Sequence, residues 1–185
     1  MKNQKKIRSI FIAVALLFSA MLILSGCSSA LSTSSGNVLV KSADGSISLS
    51  VPAGWNTKDT SPYPSAVIGV SSNTDYQHVI VTKRPKSNLP ANSTLNIYMA
   101  DVKKVYSVAD TNLVWGQISN VTIGGYHALT VELNATNGSK DLVYWISAIE
   151  GQDNYYCVSG WTTTNLADKD KPVIENVINS FKAKT

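Results

Sequence analysis

The segment from Leu142 to Ile149 constrains the fold most, because it is apolar on both sides of a strand. Alternate residues of an extended chain point to opposite faces. One face carries Leu142, Tyr144, Ile146 and Ala148, and the other carries Val143, Trp145, Ser147 and Ile149. A strand with two apolar faces must be covered twice. The segment therefore predicts a central strand in a sheet that has a layer on each side.

Turn-forming residues recur between the other apolar segments. They include Asp44-Gly45, Ser72-Asn73, Gly124-Gly125, Asn137-Gly138 and residues 151–154, and each separates two strand-like stretches. The stretch from Leu113 to Ile123 is predicted as a single strand. Short turns of this kind join neighbouring antiparallel strands. The sequence therefore predicts a largely antiparallel sheet.

Two segments have helical spacing instead. Apolar residues recur at that spacing from Leu95 to Tyr106, where Ser93 or Thr94 can cap the first turn. A second stripe runs from Val173 to Phe181, with Asp168 or Asp170 at its start and Pro172 in the first turn. Each helix has one apolar side, so each must cover a sheet face. We therefore predict an α+β fold over residues 38–185, an antiparallel β-sheet flanked by helices in an α-β-α sandwich.

The first 26 residues have the pattern of a lipoprotein signal peptide. A basic start precedes an apolar run of fifteen residues from Ile10 to Leu24. As a helix this run reaches roughly 22 Å, which is short of the ~30 Å hydrocarbon core of a membrane. The sequence Leu24-Ser25-Gly26-Cys27 resembles the lipobox of bacterial lipoproteins. We therefore expect cleavage between Gly26 and Cys27, and lipidation of the Cys27 thiol with acyl chains such as palmitate.

Residues 27–37 then form a lipidated cysteine and a Ser-rich tether. Two acyl chains suffice for a stable membrane anchor, whereas one chain binds reversibly. The ten residues after Cys27 have a root-mean-square reach on the order of 15–20 Å. We expect a protein held by its lipid anchor at the extracytoplasmic face of the cell membrane, in a bacterium with either one membrane or two.

The charge balance changes when the leader is removed. The full chain has 16 Lys and Arg against 12 Asp and Glu, but four of the basic residues lie in the leader, which has no acid. Residues 27–185 therefore carry 12 basic and 12 acidic residues, and their formal net charge is zero. A neutral domain lacks the clustered positive charge that nucleic-acid binding requires. With Cys27 acylated, Cys157 has no cysteine partner, and its strand context predicts a buried apolar role.

No residue pattern in the chain indicates catalysis or a cofactor. Gly-x-Ser-x-Gly and phosphate-loop motifs are absent, and neither His78 nor His127 has a second ligand at a metal-binding spacing. The sequence from Asp168 to Asp170 starts like a calcium loop but lacks the glycine and the distal glutamate. We therefore expect a protein that is not an enzyme and has no metal or other cofactor.

Aromatic residues near predicted loops are the candidate contact residues. Trp55, Tyr63 and Trp115 could form an exposed platform for a glycan or a partner protein. The alternative is structural: Trp55 closes the end of the first hairpin, while Trp145 and Trp161 pack beneath the helices.

Four stretches resemble PsbP-like domains. Residues 46–55, SISLSVPAGW, are similar to the opening strand with its Pro and Gly-Trp, and Gly125 to Leu129 is similar to a glycine turn into a core strand. Tyr155 to Trp161 and Ile178 to Phe181 resemble the last strand and closing helix. The resemblance covers most of residues 38–182 and implies an α-β-α sandwich.

Photosynthetic members of the PsbP-like family act at photosystem II as assembly factors or extrinsic subunits, whereas lipoprotein relatives mostly lack an assigned activity. This chain has a serine tether where photosynthetic members have a partner-contacting segment.

These observations lead to two functional hypotheses. The first is a membrane-anchored envelope lipoprotein whose non-catalytic PsbP-like domain acts through contacts with an unidentified envelope protein. The second is a surface module that binds a glycan, lipid or small molecule.

Overall fold

The computed structural model describes residues 36–59 and 63–184. The predicted cleavage and lipidation site at Gly26 and Cys27 lies outside the described residues, as does most of the tether.

The described residues form ten strands and two α-helices. The strands are β1 (Asn37–Lys41), β2 (Ile47–Pro52), β3 (Ile68–Ser71), β4 (His78–Pro85), β5 (Thr111–Trp115), β6 (Ser119–Ile123), β7 (Tyr126–Asn137), β8 (Lys140–Glu150), β9 (Asn154–Thr163) and β10 (Lys182–Ala183). The helices are α1 (Leu95–Ala109) and α2 (Ala167–Asn179). Short 3-10 turns at Lys86–Asn88 and Thr164–Leu166 precede the two helices.

A seven-stranded antiparallel sheet lies between the two helices. Its order is β3-β4-β9-β8-β7-β5, and β6 pairs with β7 beside β5. Strand β8 is central, and every residue from Leu142 to Ile149 is buried. The Tyr144 face packs with α1, and the Trp145 face packs with α2. The predicted α+β sandwich and the doubly covered central strand are confirmed.

A second, three-stranded sheet shares the α2 side of the molecule. Strand β2 lies at its centre, with β1 on one edge and β10 on the other. The buried side chains of β2 join the cluster that contains Ile174 and Phe181. The alternation of β2 predicts one buried face, but it does not reveal that this hairpin leaves the main sheet.

The predicted single strand from Leu113 to Ile123 is two strands in the structure. Both β5 and β6 pair with β7, and the chain is interrupted at Gly116. The Gly116 N–H donates to the Glu132 carbonyl at 2.8 Å, and a Cβ at position 116 would lie 3.3 Å from the same oxygen. The chain thus stays bonded to β7 as far as Gly116, and one extra residue between Gly116 and Ser119 shifts the register before β6 begins.

The helix starts differ in how well the sequence predicts them. Thr94 caps α1, because its Oγ1 accepts from the Ile97 N–H at 3.4 Å. The prediction for α2 is wrong in detail. The helix starts at Ala167, directly after the 3-10 turn, so Pro172 falls in the second turn. Asp170 turns inward and is fully buried.

Candidate functional site

Trp55 lines an open groove of about 580 Å³ on the α2 side of the molecule. Its walls come from the end of β2, the loop between β3 and β4, and one side of α2. Besides Trp55, the polar lining includes Asn73, Asp75, Gln77, Lys169 and Asn176. This volume is within the ~300–1,000 Å³ range of small-molecule sites.

The turn that carries Trp55 is fixed by its neighbours. Gly54 adopts a φ of 88°, a conformation that favours glycine. The Asn73 side chain donates to the Gly54 carbonyl. Asn56 exchanges two backbone hydrogen bonds with Ser71 at the end of β3, at 2.8 and 3.0 Å. Trp55 is therefore held half-buried, with its ring against the core and on the groove wall.

A buried carboxylate orients the side chain at the floor of the groove. Asp170 accepts from Gln77 Nε2 through one oxygen and from Thr162 Oγ1 through the other, each at 2.6 Å. All three side chains are buried. Asp170 also lies in the first turn of α2, where the helix dipole favours negative charge. Because Nε2 of Gln77 points to Asp170, Oε1 is the end of the amide that can accept from a ligand.

An ion pair lies at the rim of the groove. Lys169 Nζ is 3.1 Å from Asp75 Oδ1, which connects α2 to the loop after β3. The pair supplies both donors and acceptors to the groove, and its net charge is zero.

Tyr63 and Trp115 lie on the opposite side of the main sheet from Trp55. Tyr63 contacts Trp161 edge-on at 5.6 Å and lines a 280 Å³ cavity beneath α1. Trp115 contacts Tyr106 edge-on at 6.1 Å, and Lys103 Nζ is 4.4 Å from the Trp115 ring centre. All three aromatic residues are half-buried. The structure thus separates Trp55 from the other two, and their role in partner or ligand contact stays a prediction.

His78 belongs to an aromatic cluster that sequence reasoning missed. Its ring stacks on Trp161 at 4.9 Å, and its Nδ1 is 3.5 Å from Asp59 Oδ2. Burial lowers the pKa of His78, and the charge of Asp59 opposes this shift. The signal for this contact is the register between β4 and β9, which pairs His78 with Trp161.

Cys157 is buried in the core on the α1 side, in agreement with its predicted apolar role. Burial raises the pKa of its thiol to about 12, which leaves it protonated and unreactive.

Two features of residues 36–59 and 63–184 bear on other functions. No three side chains among His, Cys, Asp and Glu are grouped so that they could bind a metal ion. No helix in this part of the chain has the length and apolar character needed to cross a membrane.

The strand order and the helix on each face define an α+β sandwich of the PsbP-like type. Several solved structures share this fold. The cyanobacterial PsbP protein CyanoP from Synechocystis sp. PCC 6803 superposes with a TM-score of 0.60 at 16% identity, covering 81% of this chain and 94% of CyanoP. LpqN of Mycobacterium tuberculosis, a protein involved in cell envelope biogenesis, gives 0.54 at 13% identity, covering 81% and 91%. The Pseudomonas aeruginosa protein PA94, of unknown function, gives 0.52 at 11% identity, covering 80% and 98%.

These likenesses confirm the PsbP-like fold that the sequence resemblance implies. No protein-family profile matches the chain, and no curated protein matches it in sequence.

Proposed function

We propose that this chain is a lipid-anchored, non-catalytic envelope protein whose PsbP-like domain acts through protein contacts at the extracytoplasmic face of the membrane. The lipobox from Leu24 to Cys27 supports the anchor. The fold shared with LpqN, a protein of cell envelope biogenesis, supports a role in the envelope.

The observation that carries the contact role is an apolar groove of about 480 Å³ beside β1. Within the described residues β1 pairs with β2 alone, so its other edge can accept backbone hydrogen bonds. Leu39 and Val38 on β1 are 59% and 46% exposed, and Val67 across the groove is 36% exposed. Such an edge suits an extended segment of a partner that pairs with β1 as an added strand.

The charged residues at the rim of the β1 groove indicate which residues that partner segment should carry. Lys41 and Lys58 line the same groove, and both are exposed. An extended segment with apolar residues and acidic neighbours therefore complements the groove. Because the β1 groove adjoins the tether, the contact is expected close to the membrane.

The anchor is tested by replacing Cys27 with alanine in the native host. We expect the wild-type chain in the membrane fraction, with mass spectrometry of its N-terminus showing an acylated cysteine. The C27A variant should lose the acyl group and keep its leader. A wild-type chain that is freely soluble with an unmodified thiol would contradict the anchor.

The contact is tested with a photo-crosslinking amino acid at position 39, activated in intact membranes. We expect a discrete crosslinked product that depends on Cys27. A matched control places the same amino acid at Val108, an apolar position on α1 that is 90% exposed. The same product from both positions, or none from position 39, would refute the β1 contact.

The non-catalytic part is tested separately, by incubating the purified protein with ester, glycan and peptide substrates. Turnover that disappears when a single polar residue is substituted would overturn it.

A further inference from the structure

We infer that the Trp55 groove is a binding site for a neutral carbohydrate, a short chain of pyranose sugars. This site shares no lining residue with the β1 groove, and sugar binding there would require neither the lipid anchor nor the proposed protein contact.

The lining of the groove combines one aromatic ring with planar amides. Trp55 offers an apolar ring with a polar N–H, which suits the C–H face of a pyranose. Asn73, Gln77 and Asn176 place amide groups around it. Each amide can both donate and accept, which matches a sugar hydroxyl that also does both.

The orientation of Gln77 is set before any ligand binds. Its Nε2 donates to the buried Asp170, so its Oε1 offers a fixed acceptor at the floor of the groove. Fixed acceptors favour a ligand with hydroxyl donors and disfavour analogues that lack them. We therefore expect the groove to select ligands with hydroxyl groups over apolar ligands of similar size.

The charge of the groove argues for a neutral ligand. Its charged lining residues are Asp75 and Lys169, which form an ion pair at 3.1 Å. The remaining polar lining is made of amides and hydroxyls, including Ser50, Ser72 and Thr74. A phosphate or carboxylate ligand would need an excess of positive charge, which this lining lacks.

The position of the groove also indicates where the sugar would be bound. Asn37, the first residue of β1, lines the groove. The tether precedes this residue, so a sugar in the groove would be held near the surface to which the chain is anchored.

The inference is tested by titrating the purified full-length chain with two neutral probes, chitotriose and maltotriose, in an isothermal calorimeter. We expect saturable binding of at least one probe. Trp55→Ala should weaken binding about tenfold or more, while Trp55→Phe, which keeps an aromatic face, should retain most of it. Asn176→Ala, at an exposed position on α2, should weaken binding without altering the fold.

The matched control is Tyr126→Ala, which removes a half-buried aromatic residue that packs on the same core cluster as Trp55 but does not line the groove. It should leave the affinity unchanged. Absence of binding at ~10 mM of either probe would overturn the inference. So would an equal loss in the Trp55→Ala and Tyr126→Ala variants, or tighter binding of a uronic-acid trimer than of the neutral probes. If Trp55→Ala fails to fold, the Trp55→Phe and Asn176→Ala variants decide the result.

Discussion

Asp110 ends α1 with a carboxylate that is 4% exposed. One oxygen accepts from Asn137 Nδ2 at 2.7 Å and from Tyr144 Oη at 3.3 Å. Of the buried side-chain oxygens and nitrogens in the described residues, its Oδ2 is the atom without a hydrogen-bond partner. The negative charge also sits at the C-terminal end of a helix, where the dipole disfavours it. Asp110 is therefore a residue whose charge works against the fold.

The Asp110→Asn variant should raise the free energy of unfolding by about 0.5–1 kcal/mol, because it keeps the acceptor at Oδ1 and replaces an unpaired, charged oxygen with a neutral amide nitrogen, which costs less to bury. Urea denaturation measures the change. Asp141→Asn is the control, because Asp141 is exposed and accepts from Thr136 Oγ1. A loss of stability of more than ~1 kcal/mol in Asp110→Asn would show that the carboxylate has a stabilising partner.

His78 makes the stability depend on pH. Burial lowers its pKa below the ordinary 6.5, so near and below that value the unfolded chain binds a proton more readily than the folded one. The part of the stability that depends on neutral His78 is therefore fully present above pH 6.5. It is lost as the pH falls from 6.5 towards the pKa of His78 in the folded state. Denaturation between about pH 5 and 7 should show this loss, and the His78→Gln variant should show less of it. An unchanged slope in the variant would assign the dependence to other groups.

At the scale of the elements, β9 and α2 pack closely at Gly160. A Cβ at Gly160 on β9 would lie 2.2 Å from Ile174 Cγ2 and 3.1 Å from Val79 Cγ2. Ile174 is fully buried, so it has little room to move. The absence of a side chain at position 160 lets α2 pack directly on the sheet.

The Gly160→Ala variant should therefore lose about 1–3 kcal/mol of stability, because the added methyl group pushes α2 from the sheet. Thermal unfolding followed by circular dichroism measures the loss. Gly36→Ala is the matched control, since a Cβ there meets nothing within 4 Å. Similar stability in the two variants would mean that α2 adjusts freely.

At the scale of elements, the sequence predicts those strands and helices whose apolar residues recur with a clear period. Strand β8 is evident because both of its faces are apolar, and the two helices are evident from their stripes. The break between β5 and β6 is not predictable in this way. It depends on a one-residue shift in register against β7, a strand that follows later in the chain. The separate β1-β2-β10 sheet cannot be predicted from the sequence either, because the alternation of apolar residues in a strand does not specify which sheet the strand joins.

At the scale of the whole molecule, the candidate groove is assembled from distant segments. Trp55 could be selected from sequence as a candidate contact residue near a loop. Gln77 and Lys169 could not, because their place depends on α2 packing beside the loop that follows β3. The orienting contact from Asp170 to Gln77 joins residues 93 positions apart. Sequence periodicity carries no information on such pairs.

If the proposed lipid anchor at Cys27 holds the chain, the three-stranded sheet has a mechanical consequence. Tension from the membrane would enter the domain at Asn37, which pairs with Pro52 at the open end of the β1-β2 hairpin. A pull at that end loads one pair of residues at a time, so β1 would separate from β2 progressively, starting at Asn37. Separation of β1 from β2 would lengthen the tether by the five residues of β1 and remove Asn37 from the groove wall beside Trp55.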